Sequence, residues 1–233
     1  MNAFATLVQS TIGQKVVMAV SGLVMVGWLF LHMSGNMLVF AGPESFNHYA
    51  EFIQSGFGVE PALLWALRFV MLAAIGAHIW AAVRLSARNR SARPSRYAVP
   101  LKSQRTSYAA RFMLLGGITL LTFLVFHLAH LTVGVWSNSP VLMEVEFSRT
   151  NAYRNLVVGL SNPLVGAFYI LANIALGAHL FHGVSSGLQT LGLNHPRYER
   201  AKSVAGYGFA GVIAGGNIVI ALSVLGGIVP SPF

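Results

Sequence analysis

The chain contains no cysteine and very little charge. Without cysteine there is no disulfide, no thiolate zinc site, no ligand set for an ordinary iron–sulfur cluster and no c-type haem linkage. Only 9% of the 233 residues are charged, against about 25% in soluble domains. So few charges could not cover the surface of a soluble domain of this length. Acidic residues are scarcest: six glutamates and no aspartate, against 15 lysines and arginines. What fills the sequence instead is apolar, at 55% of residues. The composition is that of a membrane protein.

A helix needs about 20 mostly apolar residues to cross a bilayer. Five stretches qualify, at 15–39, 62–85, 108–135, 163–190 and 206–229. Together they predict a single all-α integral membrane domain over 1–233, with the first four spans forming a bundle. Pro43, Pro61, Pro100, Pro140 and Pro163 fall between or at the edges of the spans, where proline costs least. The first apolar run is too long for a signal peptide and has no clear small-residue cleavage site after it. In the fifth span, Gly211 and Gly215 form a G-x-x-x-G pair, with Gly206, Gly208, Gly216, Gly226 and Gly227 nearby. Such small positions predict close helix packing, against the bundle or a neighbouring protomer.

If the spans alternate, twelve basic residues share one side: Lys15, the eight of 84–111, and Arg197, Arg200 and Lys202. Arg68, Arg149 and Arg154 fall on the other, with five of the six glutamates. The positive-inside rule makes the basic side cytoplasmic, the N-terminus inside and the C-terminus outside. The expected location is therefore the cytoplasmic (inner) membrane. A nucleic-acid surface would not be divided by topology in this way. The 84–111 segment, with Ser91, Pro94, Ser95 and Pro100, is read as broken rather than as one helix. It suits anionic lipid head groups or a cytoplasmic partner.

Ionisable groups inside spans are rare and point to function. Here His32 lies in the first span, His78 in the second, His127 and His130 in the third, and His179 and His182 in the fourth. At about 1.5 Å per residue, His32 lies about 26 Å from the inner face and His127 about 24 Å. His78 lies about 9 Å from that face, and His182 about 29 Å along a helix that runs inward. The histidines thus fall at two depths. Neutral imidazoles facing each other across an apolar bundle suit a six-coordinate b-type haem. Zinc prefers tighter tetrahedral sets, often with thiolate or carboxylate, and spans one to four hold no carboxylate. A proton-coupled transporter would show an intramembrane acid or a broken helix, and neither is evident.

With the histidines placed, the chain resembles the membrane-anchor cytochrome b subunit of succinate dehydrogenase or fumarate reductase, in its single-chain, five-helix, two-haem form. The resemblance runs over nearly the whole length. It rests on Ser21-Gly22, on Leu29-Phe30-Leu31 before His32-Met33, and on His78 before Ile79-Trp80-Ala81 and the basic loop. Phe126-His127-Leu128 and Phe181-His182-Gly183, with Gln189-Thr190-Leu191-Gly192 behind it, complete the pattern. It implies two b haems, with His32 and His127 as iron ligands of the outer one and His78 and His182 of the inner one. His130 and His179 are the alternative ligands, each three residues from a member of those pairs. It also implies a place in the respiratory chain and the tricarboxylic acid cycle, with electrons passing between an iron–sulfur subunit and a membrane quinone (menaquinone or ubiquinone). A flavoprotein subunit and the iron–sulfur subunit would dock on the cytoplasmic side and hold the succinate site, which this chain lacks. An oligomer of the whole complex stays open.

Quinone chemistry needs polar groups near a haem and access to water. Phe46, Tyr49, Ala50 and Ile53 recur at helical spacing and predict a short interfacial helix within 41–61. Glu51 on that stretch is placed like an acid used for quinol chemistry in part of the family; otherwise it is a solvated loop acid. His48 and Glu44 are weaker candidates. Ser21, deeper in the first span, is either a contact for an inner quinone or haem or a hydroxyl bonded to its own helix. Some two-haem relatives carry an acid two residues before the last haem histidine, associated with proton movement. Leu180 stands there, which puts such a route in doubt. Two other readings compete: a haem-free structural anchor of the same complex, and a dihaem cytochrome b of another respiratory dehydrogenase.

Overall fold

A computed structural model describes residues 8–92 and 113–233, except residues 59 and 141. Its elements are α1 (Thr11–Asn36), α2 (Pro43–Gln54), α3 (Pro61–Ser91), α4 (Met113–Leu128), α5 (Ala152–Ser161), α6 (Pro163–Thr190) and α7 (Glu199–Leu225). Five helical stretches are long and apolar enough to cross a membrane, at Thr11–Ala41, Ala62–Ser91, Met113–Val133, Pro163–Thr190 and Pro196–Leu225. The chain is an all-α integral membrane protein, as its hydropathy predicts.

Local signals set the helix starts. The Ser10 side chain accepts from the Gly13 N–H, that of Asn151 from Arg154, and that of Asn162 from Leu164 and Val165. Each satisfies donors that a helix N-terminus leaves open. Pro43, Pro61 and Pro163 occupy first helical positions, where their missing N–H is not needed. Gly42, at φ +93°, turns the chain from α1 into α2, a conformation that disfavours any side chain.

Three boundaries differ from expectation. The helix of the second span runs through Arg84, Arg88 and Arg90 to Ser91, because no proline intervenes before Pro94. The rest of the basic segment, from Arg93 to Arg111, lies outside the described residues. The fifth span starts earlier, at Glu199, and stops at Leu225, because Gly226 and Gly227 end the helix, the latter at φ +65°. The third is α5, a ten-residue helix at the α2 end of the bundle that no transmembrane criterion could find.

The core is concentrated at that end. Val39, Phe46, Tyr153, Leu160, Tyr169 and Val224 belong to one buried cluster, while Val26, Leu180, Val184 and Ile213 form a smaller one within the bundle. Asn47 Nδ2 donates to Asn151 Oδ1 at 3.1 Å, its Oδ1 accepts from the Tyr153 N–H at 2.9 Å, and the Tyr153 hydroxyl donates to the Pro230 carbonyl at 2.6 Å. These bonds tie α2, α5 and the C-terminal segment into one cap.

Within the chain, Gly211 and Gly215 of α7 do not pack as a G-x-x-x-G pair. A Cβ at Gly211 or Gly215 would meet nothing within 4 Å. At Gly206 it would lie 2.7 Å from the Phe181 carbonyl oxygen, and at Gly216 2.6 Å from Met33 Sδ. Gly206→Ala is therefore expected to destabilise the α6–α7 contact by about 1–3 kcal/mol. Gly211→Ala should be neutral or stabilising by up to about 1 kcal/mol through helix propensity. Thermal unfolding of the two variants in detergent checks the contrast; equal losses would contradict this packing.

Candidate functional site

Six histidines lie on α1, α3, α4 and its π-helical extension (Ala129–Val133), and α6. Four of them meet in two cross-helix pairs. The rings of His32 on α1 and His127 on α4 have centroids 5.8 Å apart. Those of His78 on α3 and His179 on α6 are 6.3 Å apart. The histidine that α6 presents to His78 in this ring contact is thus His179, whereas the pattern of following residues favours His182. His182 follows three residues later and is half-buried.

The surroundings of His78 set its tautomer. Its Nδ1 lies 3.1 Å from the Met18 carbonyl oxygen, which can only accept, so Nδ1 carries the proton. Ser21 Oγ donates to the Val17 carbonyl at 2.6 Å and lies 3.4 Å from the same Nδ1. A neutral ring then has its lone pair on Nε2. Gly22 gives the ring room, since a Cβ there would sit 3.3 Å from His78 Cε1. The Ser21-Gly22 dipeptide therefore acts on this histidine twice, once through its hydroxyl and once through the missing side chain. Of the two readings of Ser21, the hydroxyl bonded to its own helix is the one present, and it also lies against His78.

His179 has a different peculiarity. Its Nδ1 is buried with no hydrogen-bond partner among the described residues, a situation that costs about 1–3 kcal/mol unless something else satisfies the nitrogen. His32 is less open: Asn36 Nδ2 lies 3.3 Å from its Nε2, and Trp28 stacks on the ring with centroids 6.1 Å apart. Ligation through that nitrogen would displace the long Asn36 contact.

His130 is fully buried and both its nitrogens are engaged. Nε2 lies 3.2 Å from the Leu142 carbonyl oxygen and Nδ1 lies 3.1 Å from the Tyr169 hydroxyl. The same hydroxyl lies 3.3 Å from His127 Nδ1. Sequence reasoning missed Tyr169, although a phenol in an apolar span needs a polar partner.

Two nitrogens at about 2 Å from a shared metal put imidazole centroids roughly 6 Å apart. Both cross-helix pairs fit that span, and His179 supplies an unpartnered buried nitrogen. The residues present fit bis-imidazole ligation of haem iron. Among the described residues, no three His, Cys, Asp or Glu side chains converge as a site for a bare metal ion. No family model, curated protein or solved structure matches this chain.

Apart from the histidine pairs, α2 borders an open cavity of about 270 Å³ lined by His48, Glu51, Phe52 and Ser55. Two of the residues picked out for quinone chemistry, His48 and Glu51, thus share one concave surface. Glu44, in the first turn of α2, is not among its lining residues. At the opposite end, Lys202 is buried and paired with Glu199 at 2.8 Å. Arg88 donates to the Gln9 carbonyl at 2.6 Å. Both cations belong to the fold's own contacts.

Proposed function

We propose that the chain is a dihaem membrane cytochrome b that anchors a succinate dehydrogenase or fumarate reductase and exchanges electrons with quinone. The observation that carries this reading is the pair of cross-helix imidazole contacts, 5.8 and 6.3 Å between centroids, on four successive spans. His32 and His127 hold one haem, and His78 and His179 the other. His179 replaces the sequence-favoured His182 because its ring meets His78 and its buried nitrogen has no partner. His130 is set aside as a ligand because the protein already occupies both of its nitrogens.

A haem held by these histidines would supply reversible one-electron transfer. The chain's residues keep the ligand rings neutral and oriented and surround them with apolar side chains. The redox partners are an iron–sulfur subunit and a flavoprotein, docked on the side that receives the basic end of α3 and the start of α7. That side is cytoplasmic by the positive-inside rule, which places α2 and α5 at the outer surface of the inner membrane. There, quinone and quinol interconvert with two electrons and two protons, and Glu51 beside His48 exchanges the protons with water.

The haem-to-protein ratio of the purified complex and its reduced-minus-oxidised spectrum test the reading. Two b haems per chain, with a flavoprotein co-purifying, are expected. One haem would break the two-pair scheme, none would leave a structural anchor, and two without a flavoprotein would indicate another respiratory dehydrogenase.

A further inference from the structure

The contacts around Tyr169 have only one consistent assignment of protons. The Leu142 carbonyl can only accept, so His130 Nε2, 3.2 Å away, carries a proton. His130 is fully buried among Phe126, Trp136 and Tyr169, and a ring held there without a counter-charge is neutral. Its Nδ1 is then an acceptor, and the donor facing it at 3.1 Å is the Tyr169 hydroxyl. With its single proton given to His130, the phenol oxygen can only accept from His127 Nδ1, 3.3 Å away. His127 therefore carries its proton on Nδ1 and its lone pair on Nε2.

Backbone features hold this chain of bonds in place. The helix of the third span passes into a π-helical turn over Ala129–Val133, a distortion often found at functional sites. Both His127 and His130, three residues apart across its start, reach the one phenol on α6. Gly159 of α5 makes room on the other side, since a Cβ there would lie 2.9 Å from His130 Cε1.

We propose that Tyr169 and His130 are positioning residues that fix His127 in the Nδ1–H tautomer, leave Nε2 free for a metal, and strengthen it as a ligand. The effect on a metal rests on the haem reading above; the tautomer does not. An N–H donated to a polarised acceptor raises the basicity of the ligating ring and favours the oxidised iron.

Two measurements on the full-length chain test this. In nitrogen-15 NMR of histidine-labelled, reduced protein, His127 Nδ1 is expected to be protonated and hydrogen-bonded, and Tyr169→Phe should move its resonance toward that of an N–H without an acceptor. In a redox titration, Tyr169→Phe should shift the haem of His32 and His127 roughly tenfold toward the reduced form, about 59 mV for one electron, with the other haem unmoved. His130→Leu should produce the same shift. His130→Gln should keep the potential of the unmodified chain, because one amide can both donate to Leu142 and accept from Tyr169. If Tyr169→Phe fails to fold, the two His130 variants carry the comparison. Unchanged potentials and an unchanged His127 Nδ1 resonance in Tyr169→Phe and His130→Leu, or equal shifts of both haems, would overturn the relay. Absence of haem from the unmodified chain would overturn the haem reading instead, and the NMR arm alone would then decide the relay.

Discussion

His78→Ala is expected to leave the complex with one b haem in place of two. Its ring sits against Gly22, its Nδ1 is held by Met18, and its partner His179 is 6.3 Å away between centroids. No histidine on α3 could take over, because His78 is the only one between His48 and His127. Removing it would take away one of the two imidazoles that would hold this haem, and His179 alone would not retain it. His32 and His127 lie nearer the α2 end of their helices, so a haem proposed to lie between them should persist. The α6 partner is decided by the companion variants. His179→Ala should reproduce the loss, while His182→Ala should retain two haems. The reverse result would make His182 the ligand and return the choice to the motif that favours it. Haem content and low-temperature difference spectra, which separate the two centres, provide the readout. Simultaneous loss of both haems in His78→Ala would dissolve the pairing altogether.

The second large effect is expected at the opposite surface. Glu51→Gln should reduce quinone turnover by about 10²-fold or more, the range over which a positioned acid–base group contributes. The amide keeps the size of the side chain and removes its ability to exchange a proton. Haem content, and succinate oxidation measured with an artificial acceptor that bypasses quinone, should stay unchanged. The cavity that Glu51 shares with His48, Phe52 and Ser55 opens on α2. That helix is fixed by Phe46, buried in the cap cluster, and by Asn47, bonded to α5. A helix held at two points keeps its remaining face in a constant position, which a proton-exchanging residue requires. Undiminished turnover in Glu51→Gln would move the quinone site away from this face.

Particular residues show how far periodicity and composition reach. Phe46, Tyr49, Ala50 and Ile53 predict α2 because the 3.6-residue repeat survives in a short stretch. By contrast, α5 escapes: ten residues are too few for a span, and its burial depends on elements far away in sequence. Asn151, three residues before Arg154 and bonded to its N–H, is the local signal that could have revealed its start. The G-x-x-x-G pair carries no packing within the chain, for a related reason. Spacing places Gly211 and Gly215 on one face of α7, but which face meets α6 and α1 depends on the helix's rotation. Gly206 and Gly216 hold that position instead.

The candidate site divides in the same manner. That histidines occur on four successive spans at two depths is fixed by chain order and helical rise, since 1.5 Å per residue converts position into height. Which of two histidines three residues apart meets the partner ring is a matter of azimuth. In a straight α-helix they differ by about 60°, and neighbouring helices choose between them. His179 faces His78 because of where α3 and α6 sit. His127 rather than His130 faces His32 because the π-helical turn and Gly159 hold His130 against Leu142 and Tyr169.

The sequence by itself therefore determined the five spans and the heights of the ionisable groups, both consequences of hydropathy and a constant rise per residue. The tertiary structure decided the α5 cap, the glycines that carry packing, the role of Tyr169 and the ring opposite His78. Each of these depends on how separate helices are rotated about their axes, and no single helix encodes its neighbour's position.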